Sequence, residues 1–450
     1  MNQELTKDLF RQIKDLIDQK NATELEAILH ELHPADIAEV LDDLDLKQAI
    51  YVIKLLDSEV TADILTELDE DTRERVLQNL SSKEIAEEID ELDTDDAVDI
   101  LYELSESKKA EVIAHIEDVE HAKDIVELMR FDPDTAGGLM GKELVKVNEN
   151  WTNMTCVREM RKQAAEFDRV HTIYVVDDHD VLKGRLSLKS LLTTSTKTPV
   201  KEVYNPKIHS VHINDSDEEI AQIMQKYDLF VVPVVDEIGR LVGQITIDDV
   251  VDIIKDEAEK DYQMAAGLTD DVEADDNIWE LTRARLPWLV LGLIGGMGAA
   301  SIMGGFEDAF ETHPELFLFT PMIAAMGGNV GVQSSAIIVQ SLANGNLKGN
   351  VWTRLFKEIS MALISSLVVS GLIYGFTHFI QGQPNQVSFV VAFSLTVVII
   401  VAALIGTFVP LILDKRGIDP ALATGPFITT SNDIFGIFIY FYIAKIILGF

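Results

Sequence analysis

The sequence predicts a multidomain protein with three kinds of fold: an α-solenoid amino-terminal domain, tandem α+β domains and a five-helix all-α transmembrane domain. A twelve-residue repeat of Leu and Ile predicts the solenoid, a fifty-nine-residue repeat predicts the paired domains, and long uncharged apolar stretches predict the membrane spans. We place the domains at residues 1–131, 132–199, 200–262 and 281–450, with a connecting helix and linker at 263–280.

The first domain is built from short repeated units. Within residues 25–130, Leu or Ile occupies two positions, three residues apart, in every twelve-residue unit. Such positions lie on one face of a short helix, and turn residues such as Asp45, Asp57 and Ser81 separate the units. One unit cannot bury its apolar face alone, so we expect stacked helices with an aliphatic core and acidic outer faces.

The middle of the chain contains two copies of one pattern. Val175-Val176-Asp177 and a following Leu-x-Gly-x-Leu recur as Val234-Val235-Asp236 and Leu-x-Gly-x-Ile. Each copy predicts a strand, a helix, a two-stranded hairpin and a second helix. This β-α-β-β-α order, present twice, resembles the CBS-domain pair.

A strongly acidic helix is predicted at residues 248–261, after the second copy. Like charges recur four residues apart along it, which weakens an isolated helix. A divalent cation that bridges this helix to another acidic surface would remove the repulsion. The candidates on the other surface lie in the helical repeat: Asp95, Asp96 and Asp99.

Five apolar stretches near the carboxyl terminus are long enough to cross a bilayer. Uncharged runs cover residues 286–306, 316–347 and 359–413, polar residues 381–386 divide the third run into two spans, and a fifth span covers about 422–449. The loops on one side of the spans carry Arg283, Arg285, Lys348, Arg354, Lys357, Lys415 and Arg416, whereas loops 307–315 and 381–386 contain no Lys or Arg. We expect Lys445 to snorkel to the outer interface. The positive-inside rule therefore predicts a multi-pass protein of the cell membrane with its amino terminus in the cytoplasm and its carboxyl terminus outside.

Glycines and prolines are frequent in these spans. For Gly292, Gly295, Gly296 and Gly298 we expect close helix packing. For Gly327-Gly328-Asn329 we favour a broken backbone that lines a pore, because polar residues follow directly. Close helix packing is the alternative there.

Asp433 is the only acidic residue in the last apolar stretch. A carboxylate at mid-bilayer depth costs roughly 2.5–3.5 kcal/mol, so such residues usually face an aqueous path or a partner. No Lys or Arg lies within ten residues, and a cation satisfies the charge best. Mg²⁺ suits one carboxylate surrounded by hydroxyl and amide groups because it keeps most of its water. We expect the oxygen donors around it to be Thr429, Asn432 and Asn329, with carbonyls freed by a broken helix.

Charge excludes several other classes of function. The net charge is −39, and residues 281–450 contain eight acidic and eight basic residues, so the whole acidic excess lies in the first 280 residues. So negative a surface is a poor partner for nucleic acid. A lone Cys156 and a polar start without a signal peptide place these residues in the cytosol. Gly137–Lys142 resembles a phosphate-binding loop, but Ala136 and Glu143 break its pattern, so we expect no ATPase and no enzyme.

The order of parts, over essentially the whole chain, resembles the MgtE family of magnesium channels. The most specific matches are Pro321–Asn329, Gln333-Ser334, Asp419-Pro420-Ala421 and Pro426 through Asp433. The resemblance implies a homodimer in membrane lipid with a pore between protomers and Asp433 as its ion-selective carboxylate. It also implies that Mg²⁺ binds between acidic cytosolic surfaces and that the connecting helix then closes the pore. The residues that match the family's regulatory ligands are Glu218, Asp228, Asp249, Asp252, Glu257, Asp261 and Asp419.

Departures from the family's pattern occur at Lys260, Ser216, Gly425 and Val332, where members can carry acids or Asn. CBS pairs can also bind adenine nucleotides, so ATP is a further candidate ligand on which the sequence does not decide. Two other functions remain open: a secondary-active divalent cation transporter, and a membrane regulator that senses adenylate through its CBS domains. The sequence also does not separate Mg²⁺ from Co²⁺ or Mn²⁺.

Overall fold

The computed structural model describes residues 7–165, 169–269, 272, 276–343, 351–423 and 425–450. The chain divides into two compact units, Met1–Ile254 and Lys255–Phe450. Lys348 and the predicted end of the second span lie outside the described residues.

Ten short helices form the amino-terminal domain. They are α1 (Lys7–Gln19), α2 (Ala22–Leu29), α3 (Pro34–Asp42), α4 (Leu46–Ile53), α5 (Ser58–Glu67), α6 (Glu70–Asn79), α7 (Ser82–Ile89), α8 (Thr94–Tyr102), α9 (Glu106–Ile113) and α10 (Val119–Leu128). Every position of the two predicted aliphatic stripes is buried except Ile113, which is half-buried. The predicted turn residues begin helices: Asp45 and Ser81 form capping boxes, and Asp57 accepts a hydrogen bond from Val60 N. The solenoid prediction is confirmed.

Two three-stranded sheets follow, with the predicted element order in both copies. The first copy contains α11 (Ala136–Leu139), β1 (Val145–Asn148), α12 (Asn153–Gln163), β2 (Ile173–Val176), β3 (Leu182–Leu186) and α13 (Leu188–Thr193). The second contains β4 (Val211–His212), α14 (Asp217–Tyr227), β5 (Val231–Val235), β6 (Leu241–Thr246) and α15 (Ile247–Ala266). In each sheet the first strand pairs parallel to the second and the hairpin pairs antiparallel. Tyr174 Oη donates to Gln244 Oε1 at 3.1 Å and joins the two copies.

Helix α15 is the predicted acidic helix. It is continuous over twenty residues, which include the charged segment and the first part of the predicted connecting region. The amide of Gln263 pairs with both backbone groups of Val272, at 3.1 and 3.0 Å, and fastens the following linker to the helix end.

The second unit contains five helices long and apolar enough to cross a membrane. The elements are α16 (Ile278–Gly304), α17 (Glu307–Thr312), α18 (Thr320–Ala343), α19 (Val351–Gly375), α20 (Asn385–Asp414) and α21 (Gly425–Leu448). A π-helical turn, Phe376–Ile380, extends α19. Helix α20 is the most buried span, and its apolar face packs against α18 and α21. The five predicted spans are confirmed.

The expectation of a broken backbone is wrong. Helix α18 is continuous through Gly327, Gly328 and Gly331, and α21 is continuous through residues 425–448. The glycines of α18 serve close packing instead: an added Cβ at Gly327 would lie 3.1 Å from Val398 Cγ1. Glycine is tolerated in membrane helices when its backbone hydrogen bonds stay intact and neighbouring helices approach closely.

The packing expectation for the glycines of α16 holds at two positions. Gly295 lies against Thr430 and Gly298 against Ile434, both on α21. Nothing in the described residues lies within 4 Å of a Cβ at Gly292 or Gly296.

Candidate functional site

The predicted pore carboxylate lies on one face of α21. Thr429 and Asp433 are four residues apart and both face Gly328 of α18. A Cβ at Gly328 would lie 3.1 Å from Thr429 Cγ2 and 3.6 Å from Asp433 Oδ1. Asp433 is half-buried, and Thr429 Oγ1 donates to Gly425 O at 3.0 Å, which leaves its lone pairs free to accept. These side chains can offer oxygen to a hydrated cation, but the continuous helix frees no carbonyl.

Asn432 is separated from Asp433 by the turn of the helix. It is 2% exposed and lies against α18, where an added Cβ at Gly331 would overlap its amide. Neither amide atom has a hydrogen-bond partner among the described residues. A buried unpaired amide is costly, so this position calls for a bound water or a polar partner. The structure therefore does not bring Asn432 together with Asp433.

Asn329 is exposed on α18, next to Gly328. Another carboxylate of the second unit links two helices: Glu358 of α19 accepts a hydrogen bond from Ser334 Oγ of α18 at 2.5 Å. Glu358 lies just before the predicted uncharged run. It is nevertheless part of α19, which begins eight residues earlier than that run. The sequence analysis missed this interhelical bond, since charge alone does not show which neighbouring helix a side chain meets.

In the first unit, Asp95 and Asp96 of α8 face Asp249 of α15. Burial and the negative charges of Asp249, Asp96 and Glu143 raise the pKa of Asp95 well above its usual value. Burial, Asp249 and Asp93 raise the pKa of Asp96 to about 7. The predicted contact between the acidic helix and the helical repeat is therefore present at the amino-terminal end of α15.

Asp249 is held in place by its own helix start. Its Oδ2 accepts from Thr246 Oγ1 at 2.7 Å and from Thr246 N at 3.3 Å. Burial outweighs these bonds and raises the pKa of Asp249 to about 6. Asp99, at the exposed edge, has its pKa raised to about 6 by desolvation, against the lowering effect of Arg73.

A second acidic contact lies in the other unit. Desolvation, followed by the charge of Asp419, raises the pKa of Asp261 near the end of α15. Asp419 precedes α21, and its Oδ1 accepts from Ala421 N at 2.7 Å. The structure thus brings together Asp261 and Asp419, two of the residues that match the family's regulatory ligands.

Of the remaining predicted ligands, Glu257 adds its negative charge to Asp261 and so contributes to raising its pKa. Glu257 also pairs with Lys260, one turn further along α15, at 3.0 Å. Asp252 is exposed on the same helix. Glu218 is exposed in the first turn of α14, and Asp228 ends that helix in the left-handed conformation with φ 51°.

Buried carboxylates with raised pKa values suit a hard cation. Each is destabilised when charged, and oxygen ligands of this kind are those that Mg²⁺ prefers. Among the described residues, no three acidic, His or Cys side chains are arranged to enclose a metal ion. The donor set therefore fits an ion that keeps several waters and is held by one or two carboxylates, and it does not fit a closed cage.

Glu143 is a residue of this cluster that the sequence analysis did not identify as functional. Its carboxylate accepts from Thr94 N at 3.1 Å and from Thr94 Oγ1 at 3.0 Å, at the start of α8. In the sequence it appears only as the residue that breaks a phosphate-loop pattern. No local signal connects it to a helix forty-nine residues earlier.

Three protein-family models match the chain. The model of the MgtE divalent cation transporter matches residues 320–443, and that of the MgtE intracellular N domain matches residues 32–134. The CBS domain model matches residues 136–196 and 200–256. These matches follow the three predicted kinds of domain.

Curated relatives and solved structures agree with these matches. Magnesium transporter MgtE of Thermus thermophilus is 35% identical over 441 residues, 97% of this chain and 98% of the relative. The protein of the same name from Enterococcus faecalis is 35% identical over 327 residues, 72% of each chain. The soluble part of a magnesium transporter aligns with a TM-score of 0.51 and 29% identity over 56% of this chain and 99% of that one. The cytosolic domain of the Mg²⁺ channel MgtE in complex with ATP aligns with a TM-score of 0.51 and 33% identity over 54% of this chain and 99% of that one.

The family resemblance predicted from the sequence is confirmed by this similarity. It extends through the solenoid, the CBS pair and the membrane helices, and it includes the helix that carries Asp433. On these grounds the chain belongs to the MgtE family of divalent cation transporters.

Proposed function

We propose that this protein is a Mg²⁺-selective channel that admits magnesium across the cell membrane and closes when Mg²⁺ binds its acidic cytosolic surfaces. The observation that carries the proposal is the placement of Asp433 beside Thr429, opposite Gly328, in a helix whose other charged residue, Lys445, lies in its last turn. The full-length similarity to proteins named magnesium transporters supports Mg²⁺ as the ion.

The proposed protein is a homodimer, because one carboxylate leaves half of a divalent charge unbalanced. A two-fold axis would place two copies of Asp433 around one path, and two-fold dimers are the commonest oligomers. Its amino terminus lies in the cytoplasm and its carboxyl terminus outside. Arg283 and Arg285 near the start of α16, and Lys415 and Arg416 after α20, support this orientation.

Regulation is proposed to act as a linked equilibrium. Ions that bind better when α8 is packed against α15 shift the population toward the packed and closed form. The carboxylates in this contact are held close together, so bound Mg²⁺ would offset their repulsion. ATP is a further proposed ligand of the CBS pair, supported by the ATP complex of the similar cytosolic domain. Calorimetric titration of the purified protein with ATP tests that ligand.

Asp433→Asn tests conduction. The variant removes the charge without changing the shape of the side chain, and it should abolish Mg²⁺ uptake into proteoliposomes. Asp414→Asn, at the exposed end of α20, is the matched control and should transport like the wild type. Uptake by Asp433→Asn at the wild-type rate would exclude the proposed path.

Two further measurements separate the alternatives. Unitary currents of the purified protein in a planar bilayer distinguish a channel from a secondary-active transporter, which produces none. Replacing Asp249, Asp252 and Glu257 by Ala should leave current flowing at high internal Mg²⁺. Unchanged inhibition in patch recordings would contradict this regulatory assignment.

A further inference from the structure

Helix α8 begins in an unusual way. Asp93 occupies its N-cap position with extended backbone, φ −63° and ψ 157°, but its side chain makes no capping hydrogen bond. The first free N–H groups of a helix need an acceptor, and Asp at this position normally supplies one. Here the acceptor for Thr94 N comes from Glu143, in the first CBS domain.

The contact is a closed set of hydrogen bonds. Glu143 takes both the N–H and the hydroxyl of Thr94, at 3.1 and 3.0 Å. Lys142 N donates in turn to Thr94 Oγ1 at 2.9 Å. Thr94 is 1% exposed, so water does not replace these partners in the packed state. A carboxylate at a helix N-terminus also interacts favourably with the helix dipole.

The other side of this contact is firmly attached to α15. Gly141 and Gln244 of β6 exchange backbone hydrogen bonds at 2.9 and 3.0 Å, and Gln244 Nε2 donates to Glu143 O at 2.6 Å. Strand β6 ends at Thr246, and the hydroxyl of Thr246 donates a hydrogen bond to Asp249 in the first turn of α15. Hydrogen bonds to Gln244 and Thr246 therefore connect both Glu143 and Asp249 to strand β6.

These hydrogen bonds of Thr94 with Glu143 and Lys142 lie directly beside the acidic cluster. A Cβ at Gly141 would lie 2.8 Å from Asp95 Oδ2 and 2.9 Å from Glu143 Oε2, so both carboxylates converge on this glycine. Asp95 follows Thr94 in the first turn of α8. Fixing Thr94 consequently fixes where the Asp95 carboxylate points.

We propose that Glu143 is a positioning residue that caps α8 from another domain and sets Asp95 opposite Asp249 for the regulatory cation. This inference rests on the proposed regulation by Mg²⁺ and adds a residue to it. Glu143 acts through Thr94 and need not touch the ion. Its role is to make the packed form the one that presents the carboxylates correctly.

The test is a Mg²⁺ titration of protease protection in the full-length protein purified in detergent. Thr94→Val keeps the side-chain shape but removes the hydroxyl donor, while Thr94→Ser keeps the donor. Losing a buried partner of this kind should raise the Mg²⁺ concentration for half-maximal protection about ten-fold in Thr94→Val. Protection at saturating Mg²⁺ should match the wild type in all variants, which shows that they fold.

Two controls make the result specific. Thr94→Ser should titrate like the wild type, and Glu143→Gln should shift in the same direction as Thr94→Val. Glu127→Gln removes a different contact to the same loop, the ion pair with Lys142 at 3.1 Å, and should leave the titration unchanged. An unshifted Thr94→Val, or an equal shift in Glu127→Gln, would overturn the inference while the proposed regulation stands. Absence of Mg²⁺-dependent protection in the wild type would overturn both.

Discussion

Raising the pH without divalent cations is expected to loosen the contact between α8 and the start of α15. The pKa of Asp96 is raised to about 7 and that of Asp249 to about 6, because both are desolvated and face other acidic groups. An exposed aspartate titrates near 3.8, so the packed state binds more protons than the separated state. The stabilisation is complete below about pH 4 and is lost as the pH rises to about 7.

The size of the effect follows from these pKa values. One pKa unit corresponds to about 1.4 kcal/mol, so the shift at Asp96 destabilises the packed state by roughly 4 kcal/mol at pH 8. About half of this is already present at pH 5.5. Asp249 titrates in the same cluster, and its contribution is therefore not added. The difference of about 2 kcal/mol corresponds to an about 30-fold rise in the opening equilibrium between the two pH values.

Amide hydrogen exchange of the full-length protein, followed by mass spectrometry of α8 peptides, measures this equilibrium. Peptides of α3, which carry none of the cluster, correct for the intrinsic pH dependence of exchange. With a chelator present, α8 protection should fall between pH 5.5 and pH 8, and added Mg²⁺ should restore it at pH 8. Protection that is constant or rises with pH in the chelator would refute the reasoning, because the carboxylates would then carry no repulsion.

Two further predictions concern single side chains. Burial and four acidic neighbours raise the pKa of Glu88 to about 8, and its Oε2 has no hydrogen-bond partner among the described residues. Glu88→Gln should therefore stabilise the solenoid at pH 7. The expected gain is about 1–2 kcal/mol once the partial exposure of Glu88 is discounted. Exchange of the α7 amides checks this, with Asp8→Asn, an exposed carboxylate of α1 that pairs with Arg11, as a control that should change little. Gly328→Ala should slow Mg²⁺ uptake several-fold, because its Cβ would lie 3.1 Å from Thr429 Cγ2 and 3.6 Å from Asp433 Oδ1. Gly296→Ala is the control and should transport like the wild type, since nothing in the described residues lies within 4 Å of its Cβ. Equal uptake rates in the two variants would contradict the packing argument.

Local patterns predicted the elements because each depends on residues close in the chain. All but one of the Leu and Ile residues in the two twelve-residue stripes are buried in the solenoid, since i and i+3 positions share a helix face. Uncharged length predicted the five spans for the same reason. The glycines of α18 were misjudged, because the same residue permits a broken helix or a close contact. Only the presence of Asn432 and Thr429 on the neighbouring helix distinguishes these outcomes.

The candidate site was predictable as a set of acids and not as a geometry. Asp95, Asp96 and Asp249 were expected to meet from charge alone, and they do. Asn432 and Asp433 are adjacent in sequence yet face different neighbours, because successive helical residues are about 100° apart. Glu143 escaped notice because its partner is set by how two domains pack, which no spacing in the chain encodes.

The magnitudes also bear on how regulation is distributed. Moving a two-state equilibrium from 1:99 to 99:1 requires about 5.5 kcal/mol of differential binding. Repulsion at Asp96, roughly 4 kcal/mol, falls short of this even when an ion offsets it completely. The contact between Asp261 and Asp419, in the unit that contains the membrane helices, is a separate place where charge is held against charge. In the proposed regulation, ions at both contacts would together supply more differential binding than ions at one, so relieving one contact should leave a shallower response to Mg²⁺ and should not abolish it.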